Sequence, residues 1–225
     1  MNGTFYGVGV GPGDPELLTL KAVRLLERCD VLAIPHRDPE KCFAYRIASG
    51  AVNLSEKQLL CVEMPMTHDQ TAREAAYERG ASEIAAALEA GKNVVFITLG
   101  DPAVYSTFAY LEERVKSRGF LTEWVPGVPS FCAAAAAKKM PLCTDREPLH
   151  ILPGSANVKE ALALSGTKVF MKGELSGLLD ALEAQNTEAF AVENCGTQEE
   201  RIYRTRAEIP VDAGYYLVTV VKEEA

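Results

Sequence analysis

Asn93-Val94-Val95-Phe96-Ile97-Thr98-Leu99-Gly100-Asp101-Pro102 is the stretch that decides the fold. Asn93–Leu99 is a continuous apolar run, as expected of a strand buried on both faces, and such strands belong to parallel sheets covered by helices. Gly100-Asp101-Pro102 breaks the run, and helical spacing resumes over Tyr105–Arg118. Upstream, Thr4–Val10 reads as a strand running into a glycine-rich turn. It is followed by a helix pattern in which Leu17, Leu18, Val23, Leu25 and Leu26 fall on or near one face. Asp30–Ile34 and Leu59–Val62 are further strands, with Phe43–Gly50 a short helix between them. Asp69–Ala90 is a charged helix closed by Gly91 at a C-terminal cap position, and Glu123–Val125 is a last short strand. Strands alternating with helices at this spacing predict an α/β domain with a mostly parallel sheet over residues 1–126.

The remainder, 127–225, reads as a second α/β domain beginning after Pro126-Gly127. It opens on the alanine-rich helix Ser130–Lys139. Strands are expected at His150–Leu152, Lys168–Met171, Phe190–Glu193 and Tyr215–Val221, with helical stretches Val158–Leu164 and Leu175–Ala184. A chain of 225 residues supports either one or two domains, and at this size buries about 70% of its unfolded surface.

The bulk charge narrows the partners. A net charge of −8 repels phosphate polymers, so no nucleic-acid partner is expected, and an acidic small molecule would need Lys and Arg gathered at its site. The cysteines Cys29, Cys42, Cys61, Cys132, Cys143 and Cys195 form no CxxC pair, which disfavours a zinc ribbon or a redox pair and suits a reducing compartment. Met1–Val10 has no basic segment ahead of an apolar stretch. The longest apolar run considered for a membrane, Phe131–Ala137, stops at Lys138-Lys139. A cytoplasmic protein without a membrane partner is therefore expected.

Two loops invite a ligand. Gly7-x-Gly9-x-Gly11-Pro12-Gly13 fails the dinucleotide fingerprint, since its sixth place is Pro12 counted from Gly7 and Asp14 counted from Gly9. Pro12 also lacks the N–H that a phosphate cradle uses. The turn does permit close backbone approach; equally, it is a tight strand-to-helix connection with Asp14 as helix cap. Gly100-Asp101-Pro102 poses the same choice. Asp as N-cap with Pro at N1 starts a helix without further purpose, whereas a loop at the carboxyl end of a parallel strand is where open α/β sheets bind ligands.

Gly7-Val-Gly-Val-Gly-Pro-Gly-Asp-Pro-Glu-Leu-Leu-Thr19, Leu99-Gly-Asp-Pro-Ala-Val-Tyr-Ser-Thr107 and Val125-Pro-Gly-Val-Pro-Ser-Phe131 together resemble the tetrapyrrole methylase family. Val169-Phe-Met-Lys172 and Val192-Glu-Asn-Cys-Gly196 fit its second domain. The fuller strings after Leu99 and Val125 are similar to the branch that methylates precorrin-2 at C-20. The resemblance implies two α/β domains with a ligand cleft between them, a homodimer, and S-adenosyl-L-methionine as methyl donor, released as S-adenosyl-L-homocysteine. It further implies a tetrapyrrole substrate, precorrin-2 or its cobalt form, methylated at the C-20 meso carbon in cobalamin biosynthesis.

Carried over position by position, the resemblance assigns Pro12, Leu99, Gly100, Asp101, Val104, Tyr105, Ser106 and Thr107 to the donor, with Ser130 and Phe131 after the inter-domain turn. Met171, Cys195, Tyr216 and Leu217 line the adenosine side. Pro129 departs from the pattern, standing where relatives often have a hydroxyl residue. A sulfonium methyl is already activated, so orientation supplies most of the rate, roughly 7–11 kcal/mol for well-held reactants, and no metal ligand or nucleophile is called for. His36, Tyr105 and Glu193 are candidates to contact pyrrole nitrogens or steer the departing proton; His68 and His150 show no grouping with them. Arg37, Lys138 and Arg146 are candidates for the substrate carboxylates, with Lys41, Arg46 and Lys139 nearby in sequence. Three alternatives stay open: a sibling such as uroporphyrinogen-III methylase, a macromolecule methylase (ribosomal RNA 2′-O or diphthine type), and a nucleotide-binding module without catalysis.

Overall fold

The computed structural model describes residues 2–65, 67, 69–172 and 176–222. The expected helix start at Leu175 and the candidate His68 lie outside the described residues. The chain divides into two compact units, Met1–Pro129 and Ser130–Ala225.

The first unit runs β1 (Thr4–Gly9), α1 (Leu20–Arg28), β2 (Val31–Ile34), α2 (Phe43–Ala51), β3 (Gln58–Cys61), α3 (Gln70–Glu89), β4 (Val94–Thr98), α4 (Phe108–Ser117) and β5 (Leu121–Val125). Its five strands are all parallel, in the order β3-β2-β4-β1-β5. β4 is buried along its whole length because its side chains alternate between two apolar layers. Val95 and Ile97 pack with Leu26 of α1 and Ile47 of α2, whereas Val94 and Phe96 pack with Ile84 of α3 and Leu111 of α4. The unbroken hydrophobicity of the run follows from that double coverage.

The strand order also sets where a ligand belongs. From β1 the chain crosses to β2 through α1, on one face; from β4 it crosses the other way to β5 through α4, on the opposite face. Adjacent strands whose connections diverge leave a crevice at their carboxyl ends, the usual binding place in open α/β sheets.

Two helix starts differ from expectation for local reasons. Asp14 caps only the 3-10 turn Pro15–Leu17, and Thr19 caps α1 by accepting the Ala22 N–H at 3.1 Å. Helix α4 begins at Phe108 rather than Tyr105, because Tyr105 holds a left-handed backbone (φ +46°) that no α-helix continues through.

The second unit contains α5 (Ser130–Lys138), β6 (Leu149–Pro153), α6 (Val158–Leu162), β7 (Thr167–Met171), α7 (Ser176–Ala184), β8 (Ala189–Glu193), β9 (Arg201–Tyr203) and β10 (Leu217–Val221). Its sheet is mixed, ordered β6-β7-β10-β8-β9: β6 and β7 run parallel and every other pair antiparallel. Leu217 and Val221 of β10 face a core shared with Ala161 of α6 and Leu178 and Leu182 of α7. β9 is not expected from the sequence, and β10 begins at Leu217, two residues after the expected start at Tyr215. No helix among the described residues is long and apolar enough to cross a membrane.

Candidate functional site

In the first unit, three loops meet at the carboxyl ends of β1, β4 and β5. The turn after β1 and the loop after β4 are joined directly: Gly100 N–H donates to the Gly11 carbonyl at 2.7 Å, and Gly11 N–H to the Gly100 carbonyl at 3.3 Å. The turn after β5 joins them, with Gly127 N–H donating to Asp101 Oδ2 at 2.9 Å. A methyl group on Gly9 would stand 2.4 Å from the Gly100 carbonyl oxygen, and one on Gly127 would stand 2.2 Å from the same atom. Three main chains thus touch where no side chain fits. That contact, rather than a phosphate cradle, accounts for the glycines at these turns.

The loop after β4 is held from within. Asp101 Oδ1 accepts the Ala103 N–H at 2.7 Å, so its carboxylate closes a local turn and reaches Gly127 at once. Ser106 Oγ lies 2.9 Å from Thr98 Oγ1 and accepts the Phe108 N–H at 3.2 Å, which fixes the end of the loop against β4 and starts α4. Between these anchors Tyr105 is half exposed on its left-handed backbone, and burial of part of its ring raises the phenol pKa. Backbone strain of this kind collects at functional sites. Pro12 is buried in the first turn, and Leu99, Val104 and Thr107 are part-buried along the second loop.

In the second unit, the carboxyl ends of β7 and β8 meet the start of antiparallel β10. Met171 pairs with Val218, and Glu193 with Leu217. Asn194, at φ +50°, donates its N–H to the Tyr216 carbonyl at 3.0 Å, and Cys195 follows it, buried. Met171, Cys195, Tyr216 and Leu217 therefore gather at one end of the three central strands. Burial and then the Glu200 carboxylate push the Cys195 thiol up to about 12, so it is a neutral thiol and no nucleophile. Tyr215 and Tyr216 are exposed, their rings edge to face at 5.4 Å, and the Lys172 ammonium sits 6.0 Å from the Tyr215 ring with its pKa lowered by burial. Ser130 and Phe131 open helix α5, both part-buried.

The remaining candidates are more dispersed. His36 lies just beyond β2, with Nδ1 2.9 Å from Asp38 N and 2.8 Å from Asp38 O, so its own loop holds the ring in either tautomer. Arg37 pairs with Glu63 while remaining largely exposed. Lys138 donates to the Arg204 carbonyl at 3.0 Å and lies over the Phe190 ring. Arg146 is exposed, and His150 is bonded to the Ser165 carbonyl at 3.0 Å. No group of three or more His, Cys, Asp or Glu side chains suited to a metal ion occurs among the described residues. The Asp101–Gly127 bond and the double use of Glu193 escape the sequence, since spacing marks the residues but not which distant group each one meets.

A doubly covered parallel sheet with glycine loops at its switch point, followed by a mixed sheet with loops gathered at one end, defines a two-unit α/β protein with a ligand-binding topology. The chain belongs to the tetrapyrrole (corrin/porphyrin) methylases, whose family model matches residues 4–210. It is 37% identical over 176 residues to the cobalt-precorrin-2 C(20)-methyltransferase of Salmonella typhimurium, an alignment covering 76% of this chain and 73% of that one. It is 36% identical over 168 residues to the probable cobalt-precorrin-2 C(20)-methyltransferase of Methanocaldococcus jannaschii, covering 74% and 71%. In fold it matches the uroporphyrin-III C-methyltransferase of Thermus thermophilus, solved with S-adenosylhomocysteine, at a TM-score of 0.70 and 24% identity over 98% of both chains.

Proposed function

We propose that the chain is an S-adenosylmethionine-dependent methyltransferase that methylates precorrin-2, with or without cobalt, at the C-20 meso carbon in cobalamin biosynthesis. The observation that carries this reading is the meeting of three backbones at Gly9, Gly100 and Gly127, at the carboxyl ends of adjacent strands whose connections diverge. The similarity to two relatives named for that acceptor carbon supports the choice of product.

When bound, the donor supplies a sulfonium methyl open to in-line displacement. The chain's own task is to hold and orient. Pro12 and the loop Leu99–Thr107 present a surface of main chain and small side chains, kept in shape by Asp101 and Ser106. Met171, Cys195, Tyr216 and Leu217 offer an apolar edge with main-chain groups, suited to an adenine ring; Ser130 and Phe131 complete the donor contacts. The fit is chemical: Cys195 is neutral, so no cysteine at this edge competes as a methyl acceptor. Arg37 and Arg146 are exposed cations for the acceptor's carboxylates, and Lys138 joins them if its bond to Arg204 opens. His36 and Tyr105 are our candidates to meet the macrocycle or the departing proton. The enzyme acts in the cytoplasm as a homodimer.

Anaerobic incubation with S-adenosylmethionine and each form of precorrin-2 tests the reading. Mass spectrometry should show one added methyl, and NMR should place it on the meso carbon. Addition at a pyrrole carbon would reassign the chain to a sibling activity, and failure with both forms would remove the proposal.

A further inference from the structure

Glu193 ends β8, is buried, and uses both carboxylate oxygens on one segment of chain and its support. Oε1 accepts the Gly214 N–H at 2.7 Å, and Oε2 accepts the Tyr203 hydroxyl at 2.8 Å. Burial and this bond raise the Tyr203 pKa, keeping it a neutral donor. The clasp spans three elements: β8, β9 through Tyr203, and the turn that enters β10. A methyl group on Gly214 would stand 2.6 Å from Glu193 Oε1, so a side chain there would displace the carboxylate from the clasp. Two residues on, Tyr216 receives the Asn194 N–H, and Leu217 pairs with Glu193 itself. The carboxylate therefore fixes the course of residues 214–217 at the entry to β10.

We propose that Glu193 is a positioning residue for donor binding, acting through the 214–217 segment rather than on the reacting atoms. This rests on the reading that Tyr216 and Leu217 contact the methyl donor. A buried charged acceptor shared by two donors is among the stronger hydrogen-bond arrangements; removing it leaves the part-buried Tyr203 hydroxyl without this partner and releases the exposed Gly214 N–H to water, so the turn loses its tie to β8. Gln at this position keeps an acceptor oxygen for Gly214 and a second polar atom for Tyr203, which can rotate its hydroxyl to accept.

The test is calorimetric titration of the full chain with S-adenosylhomocysteine, together with steady-state methyl transfer, for wild type, Glu193→Ala, Glu193→Gln and Gly214→Ala. Glu193→Ala and Gly214→Ala should each weaken product affinity at least about tenfold and raise KM for the donor in step, with kcat at saturating donor within about threefold of wild type. Glu193→Gln should restore affinity to within about threefold. Wild-type affinity in Glu193→Ala would overturn the proposal, as would a fall confined to kcat. Should Glu193→Ala not fold, Gly214→Ala decides on the same criterion. Absence of binding by wild type would instead sink the methyltransferase reading, so the two failures are distinguishable.

Discussion

Asp101 and Gly127, 26 residues apart in sequence, are joined by a 2.9 Å hydrogen bond from the glycine N–H to Oδ2, while Oδ1 closes the loop of Asp101 itself through Ala103. One half-buried carboxylate thus ties the loop after β4 to the turn after β5. Replacing it with Ala frees both N–H groups. A bond to a charged acceptor contributes about 1.5–3 kcal/mol when buried, and partial exposure here brings the expected total loss to about 2 kcal/mol. Asp101→Ala should lower the urea midpoint accordingly and weaken S-adenosylhomocysteine binding; Asp101→Asn, which keeps one acceptor, should fall between. Equal affinity in all three proteins would separate this loop from the donor.

Glycine substitutions at the same junction should differ sharply in cost. Gly127→Ala drives a methyl to 2.2 Å from the Gly100 carbonyl oxygen and 2.9 Å from the Gly9 Cα, all main chain that cannot swing aside. A loss of about 3 kcal/mol or more is expected, at the upper end for overpacking. Gly11 has a left-handed backbone (φ +78°) but no atom within 3.4 Å of an added methyl, so Gly11→Ala should cost only about 1–2 kcal/mol. Denaturant titration of both variants checks the order. If Gly11→Ala proves the more damaging, the junction is looser than these distances say.

Tyr105 combines an unfavourable backbone with a half-exposed ring. Gly in its place relieves the left-handed conformation but gains freedom when unfolded, so stability should move by no more than about 1 kcal/mol. Methyl transfer should nevertheless fall at least about tenfold, because the ring is lost. Tyr105→Phe then separates ring from hydroxyl. Undiminished turnover in Tyr105→Gly would show that the ring serves neither substrate nor donor.

Much of this was legible in the sequence, for physical reasons that also mark where legibility stops. Val94–Thr98 announces itself because two helical layers cover it and its first four positions are all apolar. The glycines of the first turn and Asp101 stood out because backbone exceptions leave compositional marks. What the glycines avoid did not stand out: the atoms opposite Gly9 and Gly127 belong to Gly100 and to each other, and no local pattern records that meeting. Asp101 looked like a cap for the following residues, and half of its role is that; the other half lies beyond β5. Arg201–Tyr203 was missed because three residues with one aliphatic side chain carry no periodicity. Glu193 looked catalytic as a carboxylate at a strand end, and only the structure shows both of its oxygens in use.

The cysteines give a pH prediction. Cys195 holds its proton to about 12 in the folded chain, whereas a thiol in the unfolded chain releases it near the ordinary value of 9.0. Below that ordinary value both states are protonated, and the group leaves stability unchanged with pH. Between the two values only the unfolded state ionises, so stability should decline as pH rises from about 9 towards 12. Cys29 and Cys42, also raised by burial, act in the same direction. Iodoacetamide at pH 8.5 should label the exposed Cys61, Cys132 and Cys143 in the native protein and spare Cys29, Cys42 and Cys195 until denaturant is added. Rapid native labelling of Cys195 would contradict its burial beside Glu200.

Thr219 sits in the middle of β10, 1% exposed, on the same side of the strand as Leu217 and Val221. Its hydroxyl finds no hydrogen-bond partner among the described residues. Burying a hydroxyl without a partner costs about 1–3 kcal/mol, and valine has nearly the same shape without that cost. Thr219→Val should therefore raise stability by about 1 kcal/mol, the low end, since the strand gives up no contact and the β-branched side chain suits it. The melting temperature should rise by a few degrees with the urea m-value unchanged. Thr219→Ser is the opposing control: it keeps the hydroxyl, deletes a buried methyl, and should lose about 1 kcal/mol or more. A destabilised Thr219→Val would mean that the hydroxyl is engaged in solution, and the argument for an apolar β10 interior would have to be withdrawn.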